Sequence, residues 1–232
     1  MLRPKRLSMS NFPFAAVLFD LDGTLVDSNL DLAPAVNHAL ALEGREPVAL
    51  ADVRKFIGGG AALMLERALQ ATGPAVSEER FAELNESLMA HYIEHIADNT
   101  VTFPGVIEAL ETLLARGCKL AMCTNKAEEP ARALLDALDL TRYFTSIHGG
   151  DTLGRERAKP APDMLLAAAR DCGGGRAAMI GDSTFDVRAA KNAGMPALVF
   201  AGGYPDVPLE EIGADAMFSH YDELVGLLAG LK

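Results

Sequence analysis

The stretch FAAVLFDLDGTLVDS, residues 14–28, decides the fold of this chain. Its first six residues form a continuous apolar run, which is typical of a strand buried on both faces of a parallel sheet. The run ends abruptly in an acidic cluster that begins at Asp20. Because ligands of open parallel sheets bind beyond the carboxyl ends of the strands, we expect a functional site here.

Three later apolar runs have the same character: KLAMCT (119–124), AAMIGD (177–182) and PALVF (196–200). Segments with helical spacing, such as ARALLDAL and DMLLAAAR, separate them. Strands that alternate with helices predict an α/β fold, a Rossmann-like doubly wound parallel sheet with helices on both faces. Asp20, Thr124 and Asp182 end three of the runs, so we expect them at one edge of the sheet.

Residues 29–100 differ from the rest because they contain three stretches of helical spacing and no clear strand. We interpret them as an inserted all-helical cap domain. Residues 1–28 and 101–232 then form one discontinuous core domain.

Composition excludes several classes of function. The 232 residues carry 32 acidic and 21 basic side chains, a net charge of -11 that repels nucleic acid and anionic lipid. No run approaches the ~20 apolar residues of a membrane span. The basic leader MLRPKRLSMSNFP lacks the apolar stretch of a signal peptide, and the 3 cysteines form no CxxC pair. We expect a cytoplasmic monomer or homodimer with a small-molecule substrate and no nucleic-acid or membrane partner.

Asp20 and Asp22 are two residues apart at a sharp turn and could divide the work of catalysis between them. Bound Mg²⁺ would keep Asp20 ionised for in-line attack on a phosphoryl group, giving an aspartyl-phosphate. Asp22 could then protonate the leaving oxygen and later activate water. The alternative is an acidic turn that binds nothing.

A second acidic pair, Asp182 and Asp186 in GDSTFD, ends another predicted strand. Placed near the first pair, it would cause strong repulsion unless a hard cation lay between them, so we expect a magnesium site. A helix start capped by Ser183 or Thr184, with Asp186 in the first turn, is compatible with that role.

Two further motifs could hold a phosphate. Thr124 and Asn125 offer a hydroxyl, an amide and backbone donors at a predicted helix start. Lys159 stands in KPAPD, where two prolines would stiffen the backbone and hold an ammonium near the transferring phosphoryl. A solvated surface lysine is the alternative.

With DLDGTLVDS, TN, KPAPD and GDSTFD in this order, the sequence resembles the haloacid dehalogenase-like superfamily of phosphohydrolases. The helical insertion after the first motif is similar to the cap of its phosphoglycolate phosphatase branch. The resemblance implies a magnesium-dependent phosphomonoesterase that hydrolyses 2-phosphoglycolate through an aspartyl-phosphate.

The same resemblance implies roles for single residues. Asp20 would be the nucleophile, Asp22 the general acid and base, and Thr24 a support of the first motif. Thr124 and Lys159 would hold the phosphoryl group. The magnesium ligands would be Asp20, the backbone carbonyl of Asp22 and Asp182, with Asp186 binding the metal directly or supporting a ligand.

The cap segment FIGGGAALMLERAL, residues 56–69, is similar to the specificity segment of phosphoglycolate phosphatases. Backbone donors around Gly59 at the start of a helix could receive a small carboxylate. Arg54, Lys55 or Arg67 would add positive charge, and we assign this role to Arg67. A merely flexible helix entry is the alternative.

Three other functions remain open at this point. One is a broad-range or sugar-phosphate phosphatase or phosphomutase of the same superfamily. Another is a phosphoacceptor signalling module, although such modules carry the nucleophile on a middle strand and need no cap. The third is a catalytically silent binding protein on this fold.

HYIEH, residues 91–95, fits a zinc-peptidase pattern but lacks an identifiable third ligand, so we interpret it as a solvated helix face.

Overall fold

A computed structural model describes residues 12–231. The leader before Phe12, for which the sequence predicts no signal peptide, lies outside the described residues. The elements, in chain order, are β1 (Ala16–Phe19), β2 (Val26–Asp27), α1 (Asn29–Ala41), α2 (Leu50–Val53), α3 (Ala61–Thr72), α4 (Glu78–Glu94), β3 (Val101–Thr102), α5 (Val106–Ala115), β4 (Lys119–Cys123), α6 (Glu128–Ala137), β5 (Ser146–His148), α7 (Asp163–Asp171), β6 (Ala177–Gly181), α8 (Thr184–Asn192), β7 (Ala197–Phe200), β8 (Ala216–Phe218) and α9 (Tyr221–Gly230).

The main sheet has the strand order β5-β4-β1-β6-β7-β8, and every neighbouring pair is parallel. Strand β1 lies inside the sheet, where Val17 is paired with Leu120 on one side and with Ala178 on the other. The carboxyl ends of β1, β4 and β6 are therefore adjacent, as the sequence predicted. The outer strands β5 and β8, three residues each, went unrecognised because so short a run shows no periodicity.

Alternate residues of β1 serve two apolar cores, one on each face of the sheet. Val17 and Phe19 pack with the core that contains leucines of α5, α6 and α9. Ala16 and Leu18 pack with the core that contains apolar residues of α7 and α8. All four are fully buried, and burying a side chain such as Leu18 contributes about 1.5–3 kcal/mol. The doubly wound α/β fold is confirmed.

Helices α1 to α4 lie between β2 and β3, which pair with each other in antiparallel fashion. They enclose an apolar core of their own, which includes Leu40, Leu65 and Leu88. Asp31 in α1 accepts hydrogen bonds from the backbone and side chains of Asn99 and Thr100. The two ends of this helical insertion are therefore joined directly before the chain returns to the sheet.

Among the helices of residues 12–231, none is long and apolar enough to cross a membrane.

Candidate active site

Three buried carboxylates meet at the carboxyl edge of the sheet. Asp20 follows β1, Asp182 follows β6, and Asp186 lies in the first turn of α8; none is more than 3% exposed. One carboxylate oxygen of each lies within 4.8 Å of the others. The backbone N–H of Asp20 donates to the carbonyl of Ile180 at 2.9 Å, so the pairing of β1 with β6 brings the three together.

The electrostatics of this acidic trio favour a bound cation. Burial raises the pKa of Asp20 to about 6; nearby Lys159 opposes this rise, and Asp186 adds to it. Burial also raises the pKa of Asp182 well above its ordinary value, and repulsion from the other two carboxylates adds to the rise. Carboxylate oxygens are hard ligands, and Lys159 alone does not neutralise the three carboxyl groups. The trio therefore suits a divalent cation such as Mg²⁺. In the described part of the chain, this is the one group of three or more histidine, cysteine or acidic side chains that could hold a metal ion.

Lys159 is buried against the trio. Its ammonium lies 2.9 Å from Asp20 Oδ1 and 2.6 Å from Asp186 Oδ1. Burial would lower the pKa of Lys159, but Asp186 and Asp20 together raise it, so the side chain stays charged. This position suits an ammonium that neutralises a nucleophile and an arriving phosphoryl group.

Asp186 has protein donors on both carboxylate oxygens. Oδ1 accepts from Lys159, while Oδ2 accepts from the backbone N–H of Asp182 at 3.2 Å, the backbone N–H of Ser183 at 3.1 Å and the Ser183 hydroxyl at 2.7 Å. Asp186 therefore stabilises the start of α8 and orients Lys159 at the same time. The two interpretations of GDSTFD, as a helix start and as a site, are compatible.

Gly23 lets the first motif lie directly against Asp182. Its φ of +80° favours glycine, and a Cβ there would stand 2.2 Å from Asp182 Oδ2. The Thr24 hydroxyl donates to Asp182 Oδ1 at 3.3 Å, and the backbone N–H of Tyr204 donates to Oδ2 at 2.6 Å. Thr24 thus supports a carboxylate of the trio rather than lining the cavity described below.

Asp22 faces a different environment from Asp20. Its Oδ1 accepts from the Ser28 hydroxyl at 2.6 Å, and its Oδ2 pairs with the Lys126 ammonium at 2.7 Å. Lys126 is 9% exposed, and its ammonium lies 4.6 Å from the ring centroid of Tyr92 on α4. We did not predict a role for Lys126 from sequence, although its position directly after Thr124 and Asn125 was a usable signal.

Thr124 and Asn125 directly follow β4 and precede Lys126 in the same loop. Thr124 is 2% exposed, and its hydroxyl accepts from the backbone N–H of Lys126 at 3.2 Å. The Asn125 amide donates to the carbonyls of Gly58 at 3.1 Å and Lys159 at 3.0 Å. Asn125 therefore joins the loop before α3 to the loop that carries Lys159.

A cavity of about 590 Å³ lies between the sheet edge and the helical insertion. Six predicted site residues line it: Asp20, Asp22, Gly59, Thr124, Asn125 and Lys159. Apolar side chains, among them Leu32, Met64 and Leu88, form much of the wall on the side of the insertion. The cavity is large enough for a small organic phosphate.

Arg67 is not among the residues that line this cavity, which differs from the prediction. It lies almost two turns along α3, and its guanidinium donates to the carbonyl of Phe56 at 3.1 Å. The glycine loop is at the cavity, however, and α3 begins directly after Gly60. The start of α3 therefore adjoins the cavity, and its role in binding a carboxylate stays a prediction.

HYIEH lies on α4 and in the turn that follows it. The ring of His91 stacks on His38 with centroids 4.6 Å apart, and His95 pairs with Asp98 at 2.8 Å. Residues 12–231 supply no third ligand at metal-binding spacing for this motif.

Comparison with known proteins identifies related chains. Residues 14–194 match the family of haloacid dehalogenase-like hydrolases. The phosphoglycolate phosphatase of Caulobacter vibrioides is 41% identical over 209 residues, which cover 89% of this chain and 87% of that protein. The phosphoglycolate phosphatase of Cereibacter sphaeroides is 40% identical over 215 residues, which cover 93% and 98%.

Solved structures share the fold. A predicted phosphoglycolate phosphatase from Haemophilus somnus matches with a TM-score of 0.86 and 28% identity, over 93% of this chain and 98% of that one. CbbY from Rhodobacter sphaeroides, in complex with phosphate, matches with a TM-score of 0.75 and 26% identity, over 91% and 96%. These similarities favour a hydrolase over a phosphoacceptor signalling module.

Proposed function

Because the chain belongs to the haloacid dehalogenase-like hydrolases, we propose that it is a magnesium-dependent phosphatase of small phosphate monoesters, with 2-phosphoglycolate as its main substrate. The observation that carries this proposal is the buried Asp20, paired with Lys159 at 2.9 Å, at the wall of a cavity that Asp22 also lines. The names of the two curated relatives support the substrate.

In the first step, a carboxylate oxygen of Asp20 attacks the phosphorus in line with the leaving oxygen. The bond between phosphorus and that oxygen breaks, and Asp22 donates the proton that completes the leaving alcohol. Lys159 balances the charge on Asp20 and on the phosphoryl group. A magnesium ion held by Asp20, Asp182 and the backbone carbonyl of Asp22 would supply further positive charge.

In the second step, water attacks the phosphorus of the aspartyl-phosphate. Asp22 accepts a proton from that water, the acyl-phosphate bond breaks, and Asp20 is regenerated together with inorganic phosphate. Thr124 holds a phosphoryl oxygen in both steps. Asp186 keeps Lys159 in place through their 2.6 Å contact.

The helical insertion acts as a cap over this chemistry. Its glycine loop contacts the core through Asn125 and contributes lining to the cavity. Closure of α1 to α4 on a bound substrate would exclude bulk water from the aspartyl-phosphate.

A broad-range phosphatase is the second candidate, and one observation favours it. The cavity of about 590 Å³, with its apolar wall, is larger than a two-carbon acid requires. Such an enzyme would use the same catalytic residues on bulkier esters.

Phosphate release with Mg²⁺ tests both candidates. The panel contains 2-phosphoglycolate, hexose phosphates, pyrophosphate and an aryl phosphate, with a chelator as control. We expect the highest kcat/KM on 2-phosphoglycolate and no release with chelator. Comparable rates on all monoesters would select the broad-range enzyme. A complete lack of release would refute the phosphatase and leave a silent binding protein.

A further inference from the structure

We propose that Lys126 binds a carboxylate on the leaving group of the substrate and that the Tyr92 hydroxyl donates a second hydrogen bond to it. This inference rests on the proposed function, because it names the part of the substrate that distinguishes it from other phosphate esters. In this proposal the carboxylate is bound by the core loop after β4 and not, as the sequence predicted, by Arg67 on α3.

The place of Lys126 relative to Asp22 is the first argument. Lys126 lines the cavity, and its ammonium lies 2.7 Å from Asp22 Oδ2. The proposed mechanism brings the leaving oxygen to Asp22. In a 2-phosphorylated carboxylic acid, the carboxylate carbon is two bonds from that oxygen. A carboxylate at this distance from Asp22 comes within reach of the Lys126 ammonium.

Charge is the second argument. Lys126 is only 9% exposed, and its ammonium pairs with the Asp22 carboxylate at 2.7 Å, so a positive charge is held at the wall of the cavity. An ammonium has three N–H donors, and Asp22 takes one of them. The other buried cation at the cavity, Lys159, is already held between Asp20 and Asp186.

The Tyr92 hydroxyl is the third argument. Tyr92 is 1% exposed and lines the cavity, yet its hydroxyl finds no acceptor for its proton among the described residues. Buried polar groups are almost always hydrogen bonded in folded proteins. A buried hydroxyl without an acceptor, on a residue that lines the cavity beside the Lys126 ammonium, would be satisfied by an anionic ligand.

The experiment compares 2-phosphoglycolate with 2-hydroxyethyl phosphate, which replaces the carboxylate by a neutral hydroxymethyl group. The quantity measured is the ratio of the two kcat/KM values with Mg²⁺. Lys126→Gln should lower this ratio about 10- to 100-fold, the range for one hydrogen bond to a charged group. Loss of the contact between Lys126 and Asp22 slows both substrates, so it cancels in the ratio. Tyr92→Phe removes a second hydrogen bond to the same charged group, so it should lower the ratio about 10-fold or more.

Two matched variants serve as controls. Arg155→Gln removes the exposed cation that also lines the cavity. Asn85→Leu removes a polar side chain from the same face of α4, two turns and about 10 Å from Tyr92. Each should keep the ratio within threefold of that of the unaltered protein.

Three results would overturn the inference: an unaltered protein without preference for 2-phosphoglycolate, a Lys126→Gln variant with an unchanged ratio, or a loss that occurs in Arg155→Gln instead. If Lys126→Gln has no activity, affinity is measured by calorimetry in the Asp20→Asn background. There Lys126→Gln should weaken 2-phosphoglycolate at least tenfold and 2-hydroxyethyl phosphate less than threefold; equal weakening overturns the inference.

If Lys126→Gln does not fold, as judged by circular dichroism, Tyr92→Phe decides, and an unchanged ratio in that variant overturns the inference. Absence of phosphate release from every ester would refute the proposed phosphatase instead. The binding measurement in the Asp20→Asn background separates that outcome from a failure of carboxylate recognition.

Discussion

Replacing Asp20 with asparagine should stabilise the metal-free protein at neutral pH while it abolishes turnover. Asparagine has nearly the same volume, and its amide oxygen can still accept from Lys159. The change removes the carboxylate that we propose as the nucleophile, which is one of three carboxylates within 4.8 Å of one another. Without a cation, the burial of the Asp20 charge and its repulsion from Asp186 destabilise the folded state.

The magnitude follows from the pKa of Asp20, which burial raises from 3.8 to about 6. At about 1.4 kcal/mol per pKa unit, this corresponds to about 3 kcal/mol. Between pH 3.8 and about pH 6, the folded protein binds more protons than the unfolded chain, so its free energy of unfolding falls as the pH rises. Above about pH 6 the full penalty applies, and Asp20→Asn escapes it. For a chain of this size the gain corresponds to a rise in Tm of about 6–12 °C.

Urea denaturation in the presence of chelator measures the effect. At pH 7.5 the free energy of unfolding of Asp20→Asn should exceed that of the unaltered protein by about 3 kcal/mol, and at pH 5 by less. Addition of Mg²⁺ should stabilise the unaltered protein more than the variant, because the variant lacks one carboxylate ligand.

Asp206→Asn is the matched control. Its carboxylate lies outside the acidic trio and accepts from the backbone N–H and hydroxyl of Thr184 at 2.7 and 2.6 Å. This change should reduce stability. A variant Asp20→Asn that is no more stable than the unaltered protein at pH 7.5, or whose gain does not vary with pH, would refute the electrostatic reasoning. Near-normal turnover by Asp20→Asn would refute the aspartyl-phosphate route.

Three further changes test other parts of the structure. Gly23→Ala places a Cβ 2.2 Å from Asp182 Oδ2 at a φ of +80°, so it should lower the free energy of unfolding by about 2–4 kcal/mol and weaken the Mg²⁺ response. The control Gly44→Ala has a φ of +64° but open space around it, so it should cost only about 1 kcal/mol in the same denaturation assay. Asp182→Ala should raise the Mg²⁺ concentration needed for half-maximal phosphate release at least tenfold; an unchanged Mg²⁺ titration would show that the metal lies elsewhere. Asp31→Ala should cost about 2–4 kcal/mol at pH 7 in urea denaturation. Burial would raise the pKa of Asp31, but hydrogen bonds from Thr100 and Asn99 lower it below its ordinary value. The contribution of Asp31 to stability should therefore be present above about pH 4 and disappear as the pH falls further. An equal cost of the substitution at pH 7 and pH 3 would contradict this.

Much of the fold could be predicted because its signals are local. A strand buried on both faces needs a continuous apolar run, and each of the four runs identified in the sequence forms a strand of the main sheet. The strands β5 and β8 lie at the sheet edges and have only three residues each, so pairing with a neighbour rather than composition makes them strands.

In the candidate site, too, some residues could be placed from local sequence signals and others could not. Asp20, Thr124 and Asp182 could be placed together because each ends a strand, and parallel strands end at one edge. Arg67 was assigned from its positive charge, as one of three basic residues in or just before residues 56–69, the segment similar to the specificity segment of phosphoglycolate phosphatases. The path of its side chain, which leads to the carbonyl of Phe56, depends on how α3 packs.

The sequence by itself determined the order of the motifs, the doubly wound sheet and the residue types at the strand ends, because apolar periodicity and the abrupt end of a buried strand are properties of neighbouring residues. Only the tertiary structure decided which charges meet. Lys126 and Asp22 are 104 residues apart along the chain, yet their ammonium and carboxylate lie 2.7 Å apart, and the ammonium lies against the ring of Tyr92. Such a contact depends on the pairing of β1 with β4, which brings together the loops that follow the two strands, and no local pattern encodes that distance.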